Sequence, residues 1–565
     1  MSFDLHPTER GSPDPLSSLN LQQLSCPMFL ILLEGRNIHL RASDGRLVVN
    51  APAGVLDDTL RAEIKRRKTD LLAVLGTRGG AGPEPSLLPA GRGGRIPITS
   101  SQQGMWLIDH FDPGNVSYNI PRAFRIDSSL NIDRLQKSID LVIARHEILR
   151  TSFHEEEGEI YQTISPSAET LVGATDLTSL PEEEAEREAR TRIREHGRKP
   201  FDLRQPPLLR CHCFRITPAR DLLFLNIHHI IADLQSLSVL SEELAVCYQA
   251  VSANRAPELP VLSLQFADYA IWAATQMVSG RIQSQLQYWK QKLAGLPPYL
   301  ELPVKGSYPE QRSAWGATVT FEVPSAASRS LVAVGRQSGA TPFMTFLAAY
   351  ALLIARFSGQ RDFSIGSPVT QRKQTETQRM IGLFVNMVAY RIQFGPQPSF
   401  RDLLRQVRTT ALEAYEQSDV PFQTLVRALR FNRRSPRSPI FQVMFGFEPF
   451  TPSESSLPQI DTDPGTARYD LSLILTESAD GTHFATFEYR TDLFDQAEIA
   501  PQADQFVSLV QQVAENPDQV CLPMPSAEAA GSNLPTSDAS SPELDGSRRS
   551  LFGRLASVFS SRTRR

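Results

Sequence analysis

What the 565-residue chain lacks closes several classes of function. Its five cysteines, Cys26, Cys211, Cys213, Cys247 and Cys521, are scattered and odd in number. The opening MSFDLHPTER lacks the basic-then-apolar form of a secretory leader. Such thiols read as reduced cysteines of a cytoplasmic protein, not as a disulfide framework. No apolar run approaches the roughly 20 residues of a membrane-spanning helix, so a membrane is not an expected partner. Charge of one sign is also missing: 58 basic against 62 acidic residues leave a net charge of −4. That balance offers no global attraction to nucleic acid or to an anionic membrane. Neither a Walker loop nor a dinucleotide fingerprint occurs. The motif CHC at 211–213 sits in the strand-like PLLRCHCFRI, where Cys211 and Cys213 share one face and His212 takes the other. The ligand set for a metal is incomplete there, and no metal site is expected.

The chain divides by composition. Residues 1–18 are polar and read as disordered. Residues 19–76 form a compact unit, in which FLILLEGR has helical apolar content and NIHLRAS and RLVVNAP alternate around the turn signal Asp44-Gly45. The segment TLRAEIKRRKTDLLAVLG follows, with Leu60, Ile64, Leu71, Leu72 and Leu75 near helical spacing and a stop at Gly76. Residues 77–95 are rich in Gly and Pro and read as a flexible linker. From 96 to 522, strand-like stretches such as LLFLNIHHI, ATVTFEV and VNMVAYRIQF alternate with helices such as FMTFLAAYALLIARF. That mixture predicts α/β layers. Residues 523–565 are of low complexity. They read as a disordered basic tail, although their last stretch, SLFGRLASVF, spaces Phe552, Leu555 and Phe559 as a short basic amphipathic helix would, one so short that it is marginal in water.

Ten histidines occur in all, yet His228 and His229 are adjacent in LLFLNIHHIIAD, with Asp233 four residues beyond His229. The apolar, β-branched run predicts a buried strand. Neighbouring strand residues point to opposite faces, so one histidine is free for chemistry while the other packs. After Asp233, Leu237, Leu240, Leu244 and Tyr248 form one helical stripe. Asp233 can cap that helix or pair with a cation. By spacing alone, a catalytic base at a strand end and two core histidines both remain open.

Other segments, in chain order, carry a resemblance. SSQQGMW (100–106), RHEILRTSF (145–153), HHIIAD (228–233), FADYAIW (266–272), GSPVTQR (366–372), IGLFVNMVAYR (381–391), SPIFQVMFGFE (438–448) and YDLSLIL (469–475) together resemble the condensation domains of non-ribosomal peptide synthetases. More distantly they resemble chloramphenicol-acetyltransferase-like acyltransferases. The resemblance covers about residues 96–522. It implies an α/β fold of two such lobes, about 96–265 and 273–522, forming a V-shaped pseudodimer. The unit before it resembles the amino-terminal β-hairpin docking domains of such synthases, a small α+β domain that binds the carboxy-terminal tail of an upstream subunit.

The resemblance also implies roles. Donor and acceptor carrier proteins bring their phosphopantetheine arms to His229, which positions an acceptor amine and takes its proton; no cofactor is bound by this chain. His228 is expected to brace. Asp233 is expected to hold a structural ion pair, with Arg372 as first choice of cation and Arg391 as second. Arg145 and Arg150 are expected to be structural. The motif usually ends in Gly, where this chain has Leu234, which is expected to fill space near the tunnel. With no adenylation domain and no carrier serine motif following, the chain is expected to act alone on carriers of other subunits, forming an amide. A catalytically silent docking scaffold, and an enzyme using a hydroxyl or a soluble amine, remain alternatives.

Overall fold

The computed structural model describes residues 33, 38–43, 46–50, 56–71, 87–92 and 95–522, apart from 278, 430–434, 450–458, 461, 463–464 and 479–480. The segments read as a disordered start and a basic tail, and Asp44-Gly45, lie outside these residues.

In the small amino-terminal unit, β1 (His39–Ser43) and β2 (Arg46–Asn50) pair antiparallel with Ser43 opposite Arg46, so two residues connect them. Helix α1 (Asp58–Arg66) begins where Asp57 accepts a hydrogen bond from the Leu60 N–H at 2.7 Å. Leu33, Ile38, Leu40, Leu60, Ile64 and Leu71 are buried. Glu63 is buried as well, and the guanidinium groups of Arg66 and Arg67 pull its carboxyl down to about 2. Two of the four cations in KRRK are therefore committed within the unit, leaving Lys65 and Lys68 exposed.

The first lobe opens with β3 (Ile96–Pro97), α2 (Ser100–Phe111), β4 (Asn119–Ile126) and α3 (Ile132–Arg145). It continues through β5 (Thr151–Glu156), β6 (Glu159–Ile164), β7 (Gly173–Asp176), α4 (Glu182–Gly197), β8 (Leu209–Thr217), β9 (Arg220–His228) and α5 (Leu234–Ser252). Helix α6 (Phe266–Gln276) precedes the second lobe. There α7 (Gly280–Lys292), β10 (Gly316–Val323), α8 (Ser325–Gln337), α9 (Pro342–Ser358), β11 (Asp362–Thr370) and β12 (Val385–Gln393) precede α10 (Phe400–Glu416) and α11 (Phe422–Leu429). The chain ends in β13 (Val443–Glu448), β14 (Gln459–Ile460), β15 (Leu471–Glu477), β16 (His483–Arg490) and α12 (Gln496–Glu515).

Strand order in the second lobe is β10-β16-β15-β13-β11-β12. Its core helix α9 is buried at every position from Met344 to Ala355, as expected of a helix that is apolar all round. The first lobe carries β14-β4-β9-β8-β7 and the smaller sheet β3-β6-β5. Here the contiguous division at 265/273 needs correcting: β14, late in the chain, adds to the edge of β4, with Ile460 opposite Ala123. A two-residue strand carries no periodicity, so only the tertiary partner defines it. Among the described residues no single helix is long and apolar enough to cross a membrane.

Part of the expected linker is also docked. Leu87 is buried in the first-lobe core. Arg92 grips Asp268 of α6 at 2.6 and 3.0 Å and Glu147 at 2.7 Å, while the Ala90 N–H donates to Asp268 at 2.7 Å. Asp268 is 2% exposed, and its buried charge explains why a Gly-rich segment is held in place. Arg92→Ala is expected to lower stability by about 1–3 kcal/mol and to open residues 87–92 to protease cleavage. Unchanged cleavage sites in limited proteolysis with mass mapping would count against this docking.

Candidate active site

Leu222 to His228 are buried along β9, and the strand stops at His228 because His229–Ile231 coil into a single 3-10 turn. The His229 N–H leaves β9 to donate to the Tyr118 carbonyl at 2.8 Å. Asp233, with extended backbone (φ −111°), then caps α5 by accepting from the Ser236 N–H at 2.8 Å. The pleat and the turn together send the two imidazoles into different surroundings.

His228 is 3% exposed and packs edge-on against Phe201, ring centres 6.0 Å apart. Its Nδ1 accepts from the Ile230 N–H at 3.2 Å, which puts the ring proton on Nε2. His229 is half-buried and holds the opposite tautomer. Its Nδ1–H donates to the Ala232 carbonyl at 2.7 Å, so Nε2 keeps its lone pair, and no group among the described residues engages it. Burial pushes His228 down to about 3, helped by His229 and by the Arg468 charge. Burial followed by Arg468 pushes His229 down to about 4, against the opposing pull of its backbone hydrogen bonds and of Asp233. Both rings are neutral at ordinary pH.

Behind them lies a buried ion pair that joins the lobes. Arg372 Nη2 donates to Asp233 Oδ1 at 2.9 Å and Nε to Oδ2 at 3.3 Å. The Phe384 N–H donates to Oδ2 at 3.1 Å. Ser236 Oγ lies 2.7 Å from Asp233 Oδ1 and accepts from Arg372 Nη2 at 2.8 Å and from the Gly382 N–H at 3.0 Å. Arg372 also donates to the carbonyls of Thr377 and Met380, and its guanidinium lies 4.0 Å from the Phe384 ring centre. Each nitrogen of the guanidinium has a partner, which is the condition under which a buried pair is tolerated. Gly382 fits because an added Cβ would lie 2.0 Å from the Phe266 ring.

Arg391, the alternative cation, pairs with Asp362 at 2.7 Å instead. Arg145 binds Glu243 at 3.1 Å, and Arg150 donates to the Ser165 carbonyl at 2.5 Å, both away from the histidines. Leu234 is the first residue of α5 and is 45% exposed. Cys211 and Cys213 face the first-lobe core, whereas His212 bonds Thr175 Oγ1 at 2.9 Å on the other face. Among the described residues no group of three or more His, Cys, Asp or Glu side chains is placed to hold a metal ion. Sequence reading missed Ser236, Tyr118 and Arg468. Ser236 carried a signal, since it lies three residues past a helix-capping Asp.

Comparison with known proteins agrees with this architecture. The condensation-domain family model matches residues 93–530, and the TubC amino-terminal docking-domain model matches residues 28–76. One of the linear gramicidin synthase subunits of Brevibacillus parabrevis is 39% identical over 446 residues, which are 78% of this chain and 6% of that protein. Phosphinothricin tripeptide synthetase PhsC of Streptomyces viridochromogenes is 34% identical over 77% of this chain and 41% of its own length. The chain thus spans only 6–9% of the gramicidin synthase subunits that it matches. Among solved structures, the X-domain in complex with OxyB from teicoplanin biosynthesis superposes with a TM-score of 0.70 at 28% identity, over 78% of this chain and 98% of that one. The first condensation domain of the calcium-dependent antibiotic synthetase, in complex with a substrate analogue, superposes with a TM-score of 0.67 at 22% identity, over 76% and 98%.

Two outcomes are expected. Asp233→Ala leaves the Arg372 charge buried without its partner and costs about 3–5 kcal/mol, read as a shift in the denaturation midpoint; a midpoint equal to wild type would contradict the clasp. For the imidazoles, folded values lie below the ordinary 6.5, so the unfolded chain binds more protons under acid conditions. Their contribution to stability is complete above about pH 6.5 and is lost as pH falls toward 4 and then 3. Histidine-selective NMR is expected to show neither ring titrating above about pH 5, and a transition near 6.5 for either would disprove it.

Proposed function

The chain belongs to the condensation-domain family of non-ribosomal peptide synthetases and carries a TubC-type docking domain ahead of it, and on that premise we propose that it joins a carrier-bound acyl or peptidyl thioester to an acceptor amine. The observation that carries this reading is the unengaged Nε2 lone pair of His229, held in one tautomer by the Ala232 carbonyl. A thioester is already activated, and an α-amine with pKa near 8 is partly neutral at cellular pH. Nε2 accepts a hydrogen bond from the amine N–H and so aims the nitrogen lone pair at the thioester carbonyl. As C–N forms and C–S breaks, the amine proton passes to Nε2 and on to the departing sulfur. Because burial makes His229 a weak base, orienting the amine carries the larger share of the work. His228 braces the turn, and Asp233 with Arg372 fixes the strand end against the second lobe.

Partners follow from the same premise. Donor and acceptor carriers present their substrates on phosphopantetheine, and residues 19–76 bind the carboxy-terminal tail of an upstream subunit. The β1–β2 edge is a template for an added strand, and the exposed Lys65 and Lys68 attract an acidic peptide. Such pairs are weak and salt-sensitive. The proposed compartment is the cytoplasm, which the free thiols suit.

A second reading, a catalytically silent docking scaffold, is favoured by one observation: the similar X-domain is one partner of a complex with OxyB. Leu234, exposed where the family motif has Gly, would serve such a surface. Mass spectrometry with an acyl-loaded donor carrier and an amine-loaded acceptor carrier separates the two. Wild type yields the amide, His229→Ala yields at least about 100-fold less, and His228→Ala loses less rate but more stability. No product from wild type favours the scaffold, whereas near-wild-type turnover by His229→Ala removes His229 from the chemistry. Deleting residues 1–76 is expected to weaken coupling to the natural upstream carrier at low protein concentration; unchanged coupling would remove the docking assignment.

A further inference from the structure

Helix α2 begins against the turn that carries His229. Gln102, its third residue, is fully buried, and its Nε2 donates to the Ile230 carbonyl at 3.1 Å, across 128 residues of sequence. Its Oε1 accepts from the Thr99 N–H at 3.0 Å, while Thr99 Oγ1 accepts from the Gln102 N–H at 3.3 Å. This reciprocal cap fixes the amide with its N–H groups toward the turn. A capping box is served by Glu or Gln alike, because both carry the acceptor. The donor to Ile230 is what Gln adds.

That donor acts on a turn of three residues, of which His229 is the first. The Ile230 N–H donates to His228 Nδ1 at 3.2 Å and the Ile230 carbonyl accepts from Gln102, so Ile230 is held at both backbone polar groups. The path from His229 to the Ala232 carbonyl runs through Ile230, and that carbonyl holds the proton on His229 Nδ1 at 2.7 Å. Neither Ile230 nor Gln102 has exposed surface, so water does not stand in for the bond. The helix is backed from the second lobe as well. Ser101 Oγ donates to the Val385 carbonyl of β12 at 2.8 Å. Gly104 admits Gln423 of α11 so closely that an added Cβ would lie 2.3 Å from its Nε2. Gln102 thus reaches the turn from a support seated on both lobes.

We propose that Gln102 is a positioning residue for the condensation step: its amide N–H sets the pitch of the turn, and with it the aim and the tautomer of His229. The consequence for turnover rests on the condensation reading, whereas the consequence for the imidazole does not. Misplacing a reacting group by about 1 Å costs up to about 100-fold in rate. Substrate binding elsewhere in the interlobe space is untouched, so the loss falls on kcat and not on KM.

Turnover of the full chain with an acyl-loaded donor carrier and an amine-loaded acceptor carrier is measured for three variants, with the folded fraction of each followed by circular dichroism. Gln102→Met, similar in length and without a donor, is expected to lower kcat by about ten-fold or more and to hold KM within about two-fold. Thr99→Ala removes the capping side chain and leaves the bond to Ile230. It is expected to lower the denaturation midpoint and to keep kcat within about two-fold of wild type. Gln102→Glu keeps the cap, but its carboxyl donates to Ile230 only when protonated, and burial raises the pKa of such a carboxyl. Its kcat relative to wild type is therefore expected to recover as pH falls from about 9 to about 6, a range in which His228 and His229 stay neutral. Wild-type kcat in Gln102→Met overturns the proposal. So does a Thr99→Ala variant as slow as Gln102→Met, since helix stability would then be the cause, or a Gln102→Glu ratio that does not rise toward acid. Imidazole nitrogen NMR needs no substrate: wild type is expected to hold His229 in the Nδ1–H form, and Gln102→Met to mix the two neutral tautomers. An unchanged His229 signal in folded Gln102→Met overturns the positioning role. If wild type makes no product while the tautomers mix in Gln102→Met, the positioning stands and the condensation reading fails.

Discussion

Asp233 and Arg372 are 139 residues apart in sequence, and their buried contact governs what surrounds it. The carboxylate performs two tasks at once: it caps α5 from within the first lobe and receives the guanidinium from the second. A charge taken out of water is tolerated only when its hydrogen bonds are complete. That requirement recruits Ser236, Phe384 and the backbone of Gly382, and it brings the strand end carrying His229 against the second lobe. The geometry of the histidines is in this sense set by the clasp behind them.

The two histidines show how backbone surroundings divide one residue type into two roles. A backbone N–H turns His228 Nδ1 into an acceptor, and a backbone carbonyl turns His229 Nδ1 into a donor. Only the second arrangement leaves the Nε2 lone pair available. Burial and the nearby Arg468 charge keep both rings neutral, which suits a group that must accept a hydrogen bond from an amine rather than present a charge to it.

The lobes are joined at further points along the chain. The β14 strand extends the first-lobe sheet from a late position in the sequence, Thr462 Oγ1 donates to the Pro121 carbonyl, and Arg468 reaches Ser117. At the other end, residues 87–92 are tied to α6 by Arg92. A chain held in this way has a defined interlobe space.

Element types and the order of motifs were legible in the amino-acid sequence. The apolar run of β9, the stripe of Leu237, Leu240 and Leu244 on α5, and the all-round apolarity of α9 are local patterns, and local periodicity reports them. The adjacent histidines, Asp233 and the GSPVTQR segment could be read for the same reason, as short motifs in a recognisable order. Which nitrogen of each imidazole carries the proton was settled only by the folded chain, because that depends on carbonyl and amide groups placed by the turn. Folding also settled that Arg66 and Arg67 are spent on Glu63, and that residues 87–92 are docked. It brought Arg468, 239 residues past His229 in the numbering, into the same electrostatic surroundings. Contacts of that kind leave no periodic trace along the chain, since they are set by long-range packing and by the need to satisfy buried charge.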